Sequence, residues 1–256
     1  MSNSPLVDFT LISPNKTSPR NHKIDTITIH CVVGQCDVET LGNIFAPTAR
    51  QASSNYGIGK DGKIGMYVEE KDRSWCSSNG YNDNRAITIE VASDTTPPYA
   101  VTKAAYKSLI NLLVDICKRN DIKELKWKDD KSLIGQVDKQ NMTVHRWFAA
   151  TACPGDYLYK KHGQIASEVN ARLGVKPTTT VPSKTNNKKI PYLVKVSIDD
   201  LNIRRGPGTN YAKTGTCTGI GIFTIVKESK GKGSTKGWGK LKSGAGWISL
   251  DYATKL

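Results

Sequence analysis

Two segments of the chain alternate between apolar and polar residues in the same way. "TITIH" (residues 26–30) carries isoleucine at every second position and ends on a histidine, and "AITIEV" (residues 86–91) repeats the pattern with a glutamate at the matching position. Successive strand residues point to opposite faces, so the isoleucines define a buried face and leave His30 and Glu90 on the other one. The pattern predicts two strands of one sheet whose ionisable groups share its more polar face.

The rest of the chain up to residue 173 alternates between strand-like and helix-like periodicity. The run "NYGIGKDGKIGMYV" predicts a β-hairpin that turns at Asp61-Gly62, a dipeptide suited to a tight turn. Helices are predicted over residues 37–45, 102–120 and 156–172, the second with Thr102 as N-cap and an apolar stripe at Ala105, Leu109, Leu112, Leu113 and Ile116. We therefore predict a mixed α/β domain over residues 1–173, with a central β-sheet flanked by helices.

The pattern changes towards the end of the chain. Residues 190–256 contain short alternating runs broken by Gly, Ser and Lys, which predicts a small all-β domain such as a barrel or a sandwich. Residues 174–189 are rich in Pro, Thr and Lys and have too few apolar side chains for a packed core. We predict that this segment is a linker between the two domains.

Composition favours a water-soluble chain. Hydrophobic residues make up 38% of the 256 residues, and mean hydropathy is −0.44. No apolar run approaches the ~18 residues that a membrane span needs, so we expect no membrane insertion. The first 20 residues lack the basic and apolar regions of a secretory signal peptide. We expect synthesis in a reducing cytoplasm, where the six cysteines remain thiols.

Positive charge is concentrated at the end of the chain. The net charge is +14, and residues 174–256 hold 15 basic and 4 acidic residues, whereas the first 173 residues are nearly balanced. This asymmetry predicts that the second domain meets a polyanion, either nucleic acid or an anionic cell envelope.

Three residues form a candidate metal site. His30 ends a predicted strand, His145 ends the strand-like run "MTVH", and Cys153 follows eight residues later, just before Pro-Gly and a predicted helix. Imidazole nitrogen and thiolate are common zinc ligands, and a catalytic zinc site takes three protein ligands and leaves one position open. The alternative is two ordinary, partly buried histidines and a buried thiol.

Glu90 is a candidate general base. A carboxylate beside a metal site can take the proton from water as it attacks and return it to the leaving amine. The alternative is a solvated strand face on which a glutamate has no special role.

Four pieces of the chain, taken in order and spacing, resemble the peptidoglycan-recognition/type 2 amidase family. They are "ITIHC", "SSNYGIGKDGKIGMYVEEKDRSWCSS", "NDNRAITIEVA" and "HRWFAATACPGD", within residues ~22–173. This family contains zinc-dependent N-acetylmuramoyl-L-alanine amidases, among them many phage endolysins. The resemblance implies the family's α/β fold, one Zn²⁺ ion, and His30, His145 and Cys153 as its ligands.

The resemblance also bears on the residues around the metal. Some members use a tyrosine where this chain has Ser54, and others use a glutamate that matches Glu90, which implies Glu90 as general base and acid. Two residues before the last ligand, the family has Lys or, in some branches, Thr, and this chain has Thr151. A threonine supplies no positive charge to the tetrahedral oxyanion and can offer it only a hydroxyl hydrogen bond, which implies Thr151 as a minor oxyanion donor. Candidate substrate-groove residues are Trp75, Tyr81, Asn82 and Trp147.

The last ~65 residues resemble a bacterial SH3 (SH3b) domain. The stretches that carry this likeness are "VSIDDLNIRRGPGTNYAKTGTC" and "GWGKLKSGAGWISLDYAT". Such modules bind cell-wall peptides or wall-attached polymers without catalysis, and the positive charge favours an anionic envelope. Candidate wall contacts are Arg204, Tyr211 and Trp238.

These observations predict a peptidoglycan hydrolase of the endolysin type. It would cleave the amide between N-acetylmuramic acid and L-alanine, and it would stay in the host cytoplasm until its release to the wall. One alternative is a Cys/His wall endopeptidase, in which Cys153 would need His162, its only downstream histidine. Another is a non-catalytic peptidoglycan-binding protein. Nucleic acid is not an expected partner, because the basic region carries no nucleic-acid-binding motif.

Overall fold

The computed structural model describes residues 2–175 and 190–256. Contacts divide the chain into two compact units, with the division between residues 178 and 179. The predicted linker lies outside the described residues except for Gly174 and Val175. None of the described helices is both long enough and apolar enough to cross a membrane.

Residues 2–175 of the first unit contain four α-helices and eight strands. The helices are α1 (Val38–Phe45), α2 (Gly80–Arg85), α3 (Lys103–Arg119) and α4 (Gly155–Leu173). The strands are β1 (Phe9–Thr10), β2 (Lys16–Thr17), β3 (Thr26–Val33), β4 (Tyr56–Ile58), β5 (Ile64–Met66), β6 (Arg73–Ser74), β7 (Ala86–Ser93) and β8 (Met142–Thr143). This confirms the predicted α/β class.

The central sheet has the strand order β1-β5-β4-β7-β3-β8. The two segments with matching patterns are its neighbouring central strands: β3 and β7 run parallel, and His30 is paired directly with Glu90. The predicted hairpin is β4–β5, which is antiparallel and turns through Gly62 at φ +89°. β8 pairs with β3 in parallel but ends at Thr143, so His145 begins a 3₁₀ turn (His145–Trp147) and does not end a strand as predicted.

The isoleucine face of the sheet packs against α3 and α4. Ile27, Ile29, Ile87 and Ile89 are fully buried in one core with the predicted apolar stripe of α3. Thr102 caps α3 as predicted, because its side chain accepts a hydrogen bond from the Ala105 backbone N–H.

Truncation of the α3 stripe is expected to destabilise the first unit strongly. Leu113 is fully buried, so Leu113→Ala should lower the free energy of unfolding by about 2–5 kcal/mol through lost burial and the cavity left behind. Lys107→Ala, on the exposed face of the same helix, should change it by less than about 0.5 kcal/mol. Urea unfolding followed by circular dichroism measures both, and equal effects would contradict this core assignment.

The opposite face of the sheet is buried as well, which rules out the solvated face considered above. His30, Thr28 and Thr88 are fully buried. The side chains that pack over this face are polar. Asn82 of α2 donates to Thr28 Oγ1, and Thr88 Oγ1 hydrogen-bonds with Ser74 Oγ at 2.7 Å. This face is therefore a buried hydrogen-bonded layer beneath the site.

The second unit is all-β, as predicted. Its strands are β9 (Tyr192–Val196), β10 (Asn202–Arg204), β11 (Lys213–Cys217), β12 (Gly221–Ser229), β13 (Trp238–Leu241), β14 (Trp247–Ser249) and β15 (Ala253–Lys255). They form one sheet in the order β11-β10-β14-β13-β12-β9-β15. Within residues 190–256, β11 and β15 are its two edges, and no pairing between them closes the sheet into a barrel.

Candidate metal centre

Three elements bring the predicted ligands together. His30 lies near the carboxyl end of β3, and His145 follows β8, the parallel neighbour of β3. Cys153 lies in the loop that leads into α4. Because parallel strands end at the same edge of a sheet, the two histidines meet there, and the start of α4 brings Cys153 to them.

The geometry of these side chains suits one metal ion. Cys153 Sγ lies 3.4 Å from His30 Nδ1, and the two imidazole ring centroids are 5.1 Å apart. The potential ligand atoms of His30, His145 and Cys153 all lie within 4.8 Å of one another. Two nitrogens and one sulfur at this separation fit the donor set of a catalytic zinc site.

Protonation states also favour a metal. Burial, followed by the nearby His145 and His162, lowers the pKa of His30 well below its usual value, and burial lowers the pKa of His145. Both imidazoles are therefore neutral at pH 7 and can offer a lone pair. A hydrogen bond with the Cys31 thiol and burial raise the pKa of Cys153 well above its usual value. Metal binding must therefore displace a proton from Cys153.

Glu90 lies beside this cluster. Its Oε1 is 3.9 Å from His30 Nδ1, and 14% of its side chain is exposed. Burial, followed by the charge of Cys31, raises the pKa of Glu90 to about 8. Its Oε2 is buried and has no hydrogen-bond partner among the described residues. A neighbouring cation would compensate this buried carboxylate, which is a second sign that the residues fit a metal.

Zinc affinity is expected to rise with pH. In Glu90→Gln, Cys153 releases one proton on binding, so affinity should increase about tenfold per pH unit between pH 6 and 8. The wild type should show a steeper rise, because the pKa of about 8 means that Glu90 also gives up a proton as the cation approaches. Competition with a chelator of known affinity measures both slopes. Affinities that do not change with pH would contradict a thiol ligand.

A second donor group overlaps the first. His30, Cys76 and Glu90 also place potential ligand atoms within 4.8 Å of one another, and Cys76 Sγ donates to Glu90 Oε1 at 3.8 Å. Both groups include His30, so the two could not each hold an ion at the same time. Only the group with His145 and Cys153 leaves Glu90 free to act as a base.

A groove of about 410 Å³ adjoins His145. Arg73, Trp75 and Cys76 line it, and Arg73 Nη2 and Trp75 Nε1 both donate to Thr17 Oγ1. The groove thus offers a cation and an aromatic ring next to a candidate metal ligand. Trp75, one of the candidate substrate-groove residues from the sequence, lines this groove.

Two of the predicted groove residues lie elsewhere. Asn82 is 2% exposed, and its amide is engaged with Thr28, Ser77 and Thr143. Trp147 is 8% exposed and stacks on Trp127 with ring centroids 5.1 Å apart. Both side chains are thus engaged within the protein and do not line the groove beside His145, and their role as substrate contacts stays a prediction.

The remaining predicted residues of the first unit are exposed at the surface or form hydrogen bonds with backbone groups. Tyr81 is 57% exposed, and Arg85 lies 5.5 Å from its ring centroid. Thr151 is exposed, and its Oγ1 accepts a hydrogen bond from the Cys153 backbone N–H at 3.2 Å. The buried Ser54 hydroxyl donates to the Tyr56 carbonyl oxygen.

Sequence reasoning missed Cys76 and Ser78, which lie in the loop before α2. Ser78 Oγ is 3.3 Å from His145 Nε2, and Cys76 contacts Glu90. No spacing rule marks either residue. The only available signal was the "RSWCSS" run within the family-like hairpin segment.

The second unit has a cavity of about 300 Å³ lined by Arg204 and Trp238, among others. Trp238 is only 2% exposed, so it is not the exposed side chain that the sequence predicted, although it lines this cavity. Tyr211 is 44% exposed, and its carbonyl oxygen accepts a hydrogen bond from Arg204 Nη1.

The chain belongs to the N-acetylmuramoyl-L-alanine amidase family (Amidase_2), whose family model matches residues 20–156. The match covers more than half of the chain and includes the three candidate ligands and Glu90. Membership of this family supports peptidoglycan amidase activity and places the protein among the hydrolases.

Solved structures of similar shape were also found, at low sequence identity. A mutant endolysin from Bacillus subtilis is 15% identical over 64% of this chain and 99% of its own, with a TM-score of 0.47. A selenomethionine derivative of AmpD is 19% identical over 64% and 96%, with a TM-score of 0.47. The endolysin amidase LysCS from Clostridium intestinale is 19% identical over 69% and 100%, with a TM-score of 0.40. A comparison with curated proteins found no match.

Proposed function

We propose that this protein is a zinc-dependent N-acetylmuramoyl-L-alanine amidase. It hydrolyses the amide that joins the lactyl group of N-acetylmuramic acid to L-alanine in peptidoglycan. The observation that carries the proposal is the convergence of two neutral imidazoles and one thiol within 4.8 Å, with Glu90 Oε1 3.9 Å from His30 Nδ1.

Each residue has a defined part in this reaction. His30, His145 and Cys153 would hold Zn²⁺, which supplies Lewis-acid polarisation of the amide carbonyl and of the attacking water. Glu90 takes the proton of the attacking water and returns it to the leaving amine. Its Oε1, 3.9 Å from His30 Nδ1, lies close enough to the proposed metal site for both proton transfers. The groove beside His145 orients the substrate, and the Thr151 hydroxyl can still donate while it accepts from the Cys153 N–H.

Removal of the metal tests the proposal. Treatment with a zinc chelator followed by dialysis should abolish clearing of a suspension of Gram-positive cell walls, and addition of Zn²⁺ should restore it. Full clearing by protein shown to be zinc-free would overturn the proposal.

A Cys/His endopeptidase is disfavoured on chemical grounds. Cys153 does lie beside an imidazole, at 3.4 Å from His30 Nδ1, but its raised pKa keeps it as a thiol, which is a poor nucleophile. The downstream His162 is fully buried, and its Nδ1 hydrogen-bonds the Leu158 carbonyl oxygen.

For the second unit we propose an SH3b-like role in binding the cell wall. Its strong positive charge and its cavity beside Arg204 support this role, and peptidoglycan with its anionic polymers is the proposed partner. Co-sedimentation of the full chain with purified walls, before and after extraction of the wall polymers, tests it. Binding that is weak to both preparations would contradict it.

We also propose a lytic role of the endolysin type, in which the enzyme is held in a host cytoplasm until release and then acts on the wall. The resemblance of the metal-site motifs to phage enzymes supports this. Expression in the cytoplasm of a Gram-positive host should leave cells intact until their membrane is permeabilised, and lysis without permeabilisation would contradict it.

A further inference from the structure

The loop before α2 reaches one of the candidate metal ligands. Ser78 Oγ lies 3.3 Å from His145 Nε2, within hydrogen-bonding distance. Ser78 is exposed and also lines the groove. None of the roles derived above uses this hydroxyl.

The loop is held in place by a buried carboxylate. Asp83 is 2% exposed, and it accepts hydrogen bonds from the backbone N–H groups of Cys76 and Ser77 and from the Ser77 hydroxyl. Asn79 caps α2 by accepting from the Asn82 backbone N–H. These contacts fix the backbone on both sides of Ser78.

The same network contacts β3 and β8, the strands that lead to His30 and His145. The Asn82 amide donates to Ser77 Oγ and to Thr28 Oγ1 in β3, and its oxygen accepts from Thr143 Oγ1 in β8. Thr28 lies two residues before His30, and Thr143 lies two residues before His145. One buried amide therefore links the loop to β3, which carries His30, and to β8, which His145 follows.

The backbone at Ser78 adopts an unfavourable conformation. Its φ is +59°, in the left-handed region that serine rarely adopts. Such conformations persist where surrounding contacts hold the backbone in place, and they concentrate at functional sites. Here the conformation directs the serine side chain towards His145.

We propose that Ser78 is a positioning residue for His145. Its hydroxyl oxygen accepts a hydrogen bond from His145 Nε2–H, which fixes the tautomer with the lone pair on Nδ1 and holds the ring in the orientation that metal binding needs. Partners of this kind on the second nitrogen of a ligand histidine raise metal affinity. The inference rests on the proposed zinc site and adds a residue to it.

Two substitutions at position 78 distinguish the effect of the hydroxyl on zinc affinity from the effect of the strained backbone conformation. Ser78→Ala removes the hydroxyl and keeps the strained conformation, whereas Ser78→Gly removes the hydroxyl and relieves the strain. Zinc affinity of the full chain, measured by chelator competition, should fall about 10- to 100-fold in both. Thr17→Ala, which alters the same groove without touching His145, should keep wild-type zinc affinity. Wild-type affinity in both Ser78 variants would overturn the proposal.

A spectroscopic measurement decides the tautomer independently of zinc. Nitrogen-15 NMR of the zinc-free wild type should show His145 protonated at Nε2, and the Ser78 variants should show a mixture of tautomers. Protonation at Nδ1 in the wild type would overturn the proposal. If the wild type binds no zinc, the proposed function fails, while the tautomer measurement still decides the role of Ser78.

Discussion

Replacement of Cys153 by serine is expected to eliminate zinc binding at neutral pH and, with it, cell-wall hydrolysis. A serine hydroxyl does not ionise at neutral pH, so the site would lose its only thiolate and keep two neutral imidazoles. The loss of affinity should exceed the roughly 10- to 100-fold cost of removing a group that only hydrogen-bonds a ligand. Zinc content after gel filtration and clearing of wall suspensions measure the two effects.

The matched control is Cys217→Ser, which changes an exposed thiol in the second unit. It should bind zinc and clear walls like the wild type. Zinc content and clearing that survive in Cys153→Ser would remove Cys153 from the ligand set.

Replacement of Glu90 by glutamine should leave zinc bound but reduce kcat about 10²- to 10⁴-fold. Glutamine keeps the size of the side chain and cannot accept the proton of the attacking water. Glu90 Oε2 is buried and has no hydrogen-bond partner among the described residues, so the substitution breaks no hydrogen bond at that atom, and Oε1 accepts only from the Cys76 thiol among them. Initial rates on a soluble muropeptide, together with zinc content, measure the effect.

Glu39→Gln is the matched control, because Glu39 is exposed on α1. It should retain the wild-type kcat. A kcat for Glu90→Gln within a few-fold of the wild type would assign the proton transfer to another group.

The fold was predictable where one physical signal dominated. The stripe of α3 and the alternation in β3 and β7 reflect apolar burial, so their periodicity predicted the elements and the shared face of His30 and Glu90. The direct pairing of these two residues is a matter of strand order and register, which the alternation did not specify. The burial of the polar face was not predictable in this way. The polar face of the sheet is covered by the short helix α2, which lacks an apolar stripe. Hydrogen bonds of the Asn82 and Asp83 side chains fix this helix in place.

The same distinction applies to the candidate site. The resemblance of the motifs to a known family, in their order and spacing, implied the three residues that meet at the edge of the sheet, whereas the spacing of His145 and Cys153 alone left ordinary buried side chains as an alternative. Whether Asn82 or Trp147 faces the groove depends on tertiary hydrogen bonds and on the stacking of Trp127, which no local pattern encodes. The open edges of the second sheet likewise depend on long-range pairing, which local alternation does not specify.

Mass spectrometry of peptidoglycan digested by the purified protein tests the central claim most directly. The account predicts new free amino termini on L-alanine, with stem peptides released from intact glycan strands. New reducing sugar ends, or new amino termini within the stem or the cross-bridge, would contradict it.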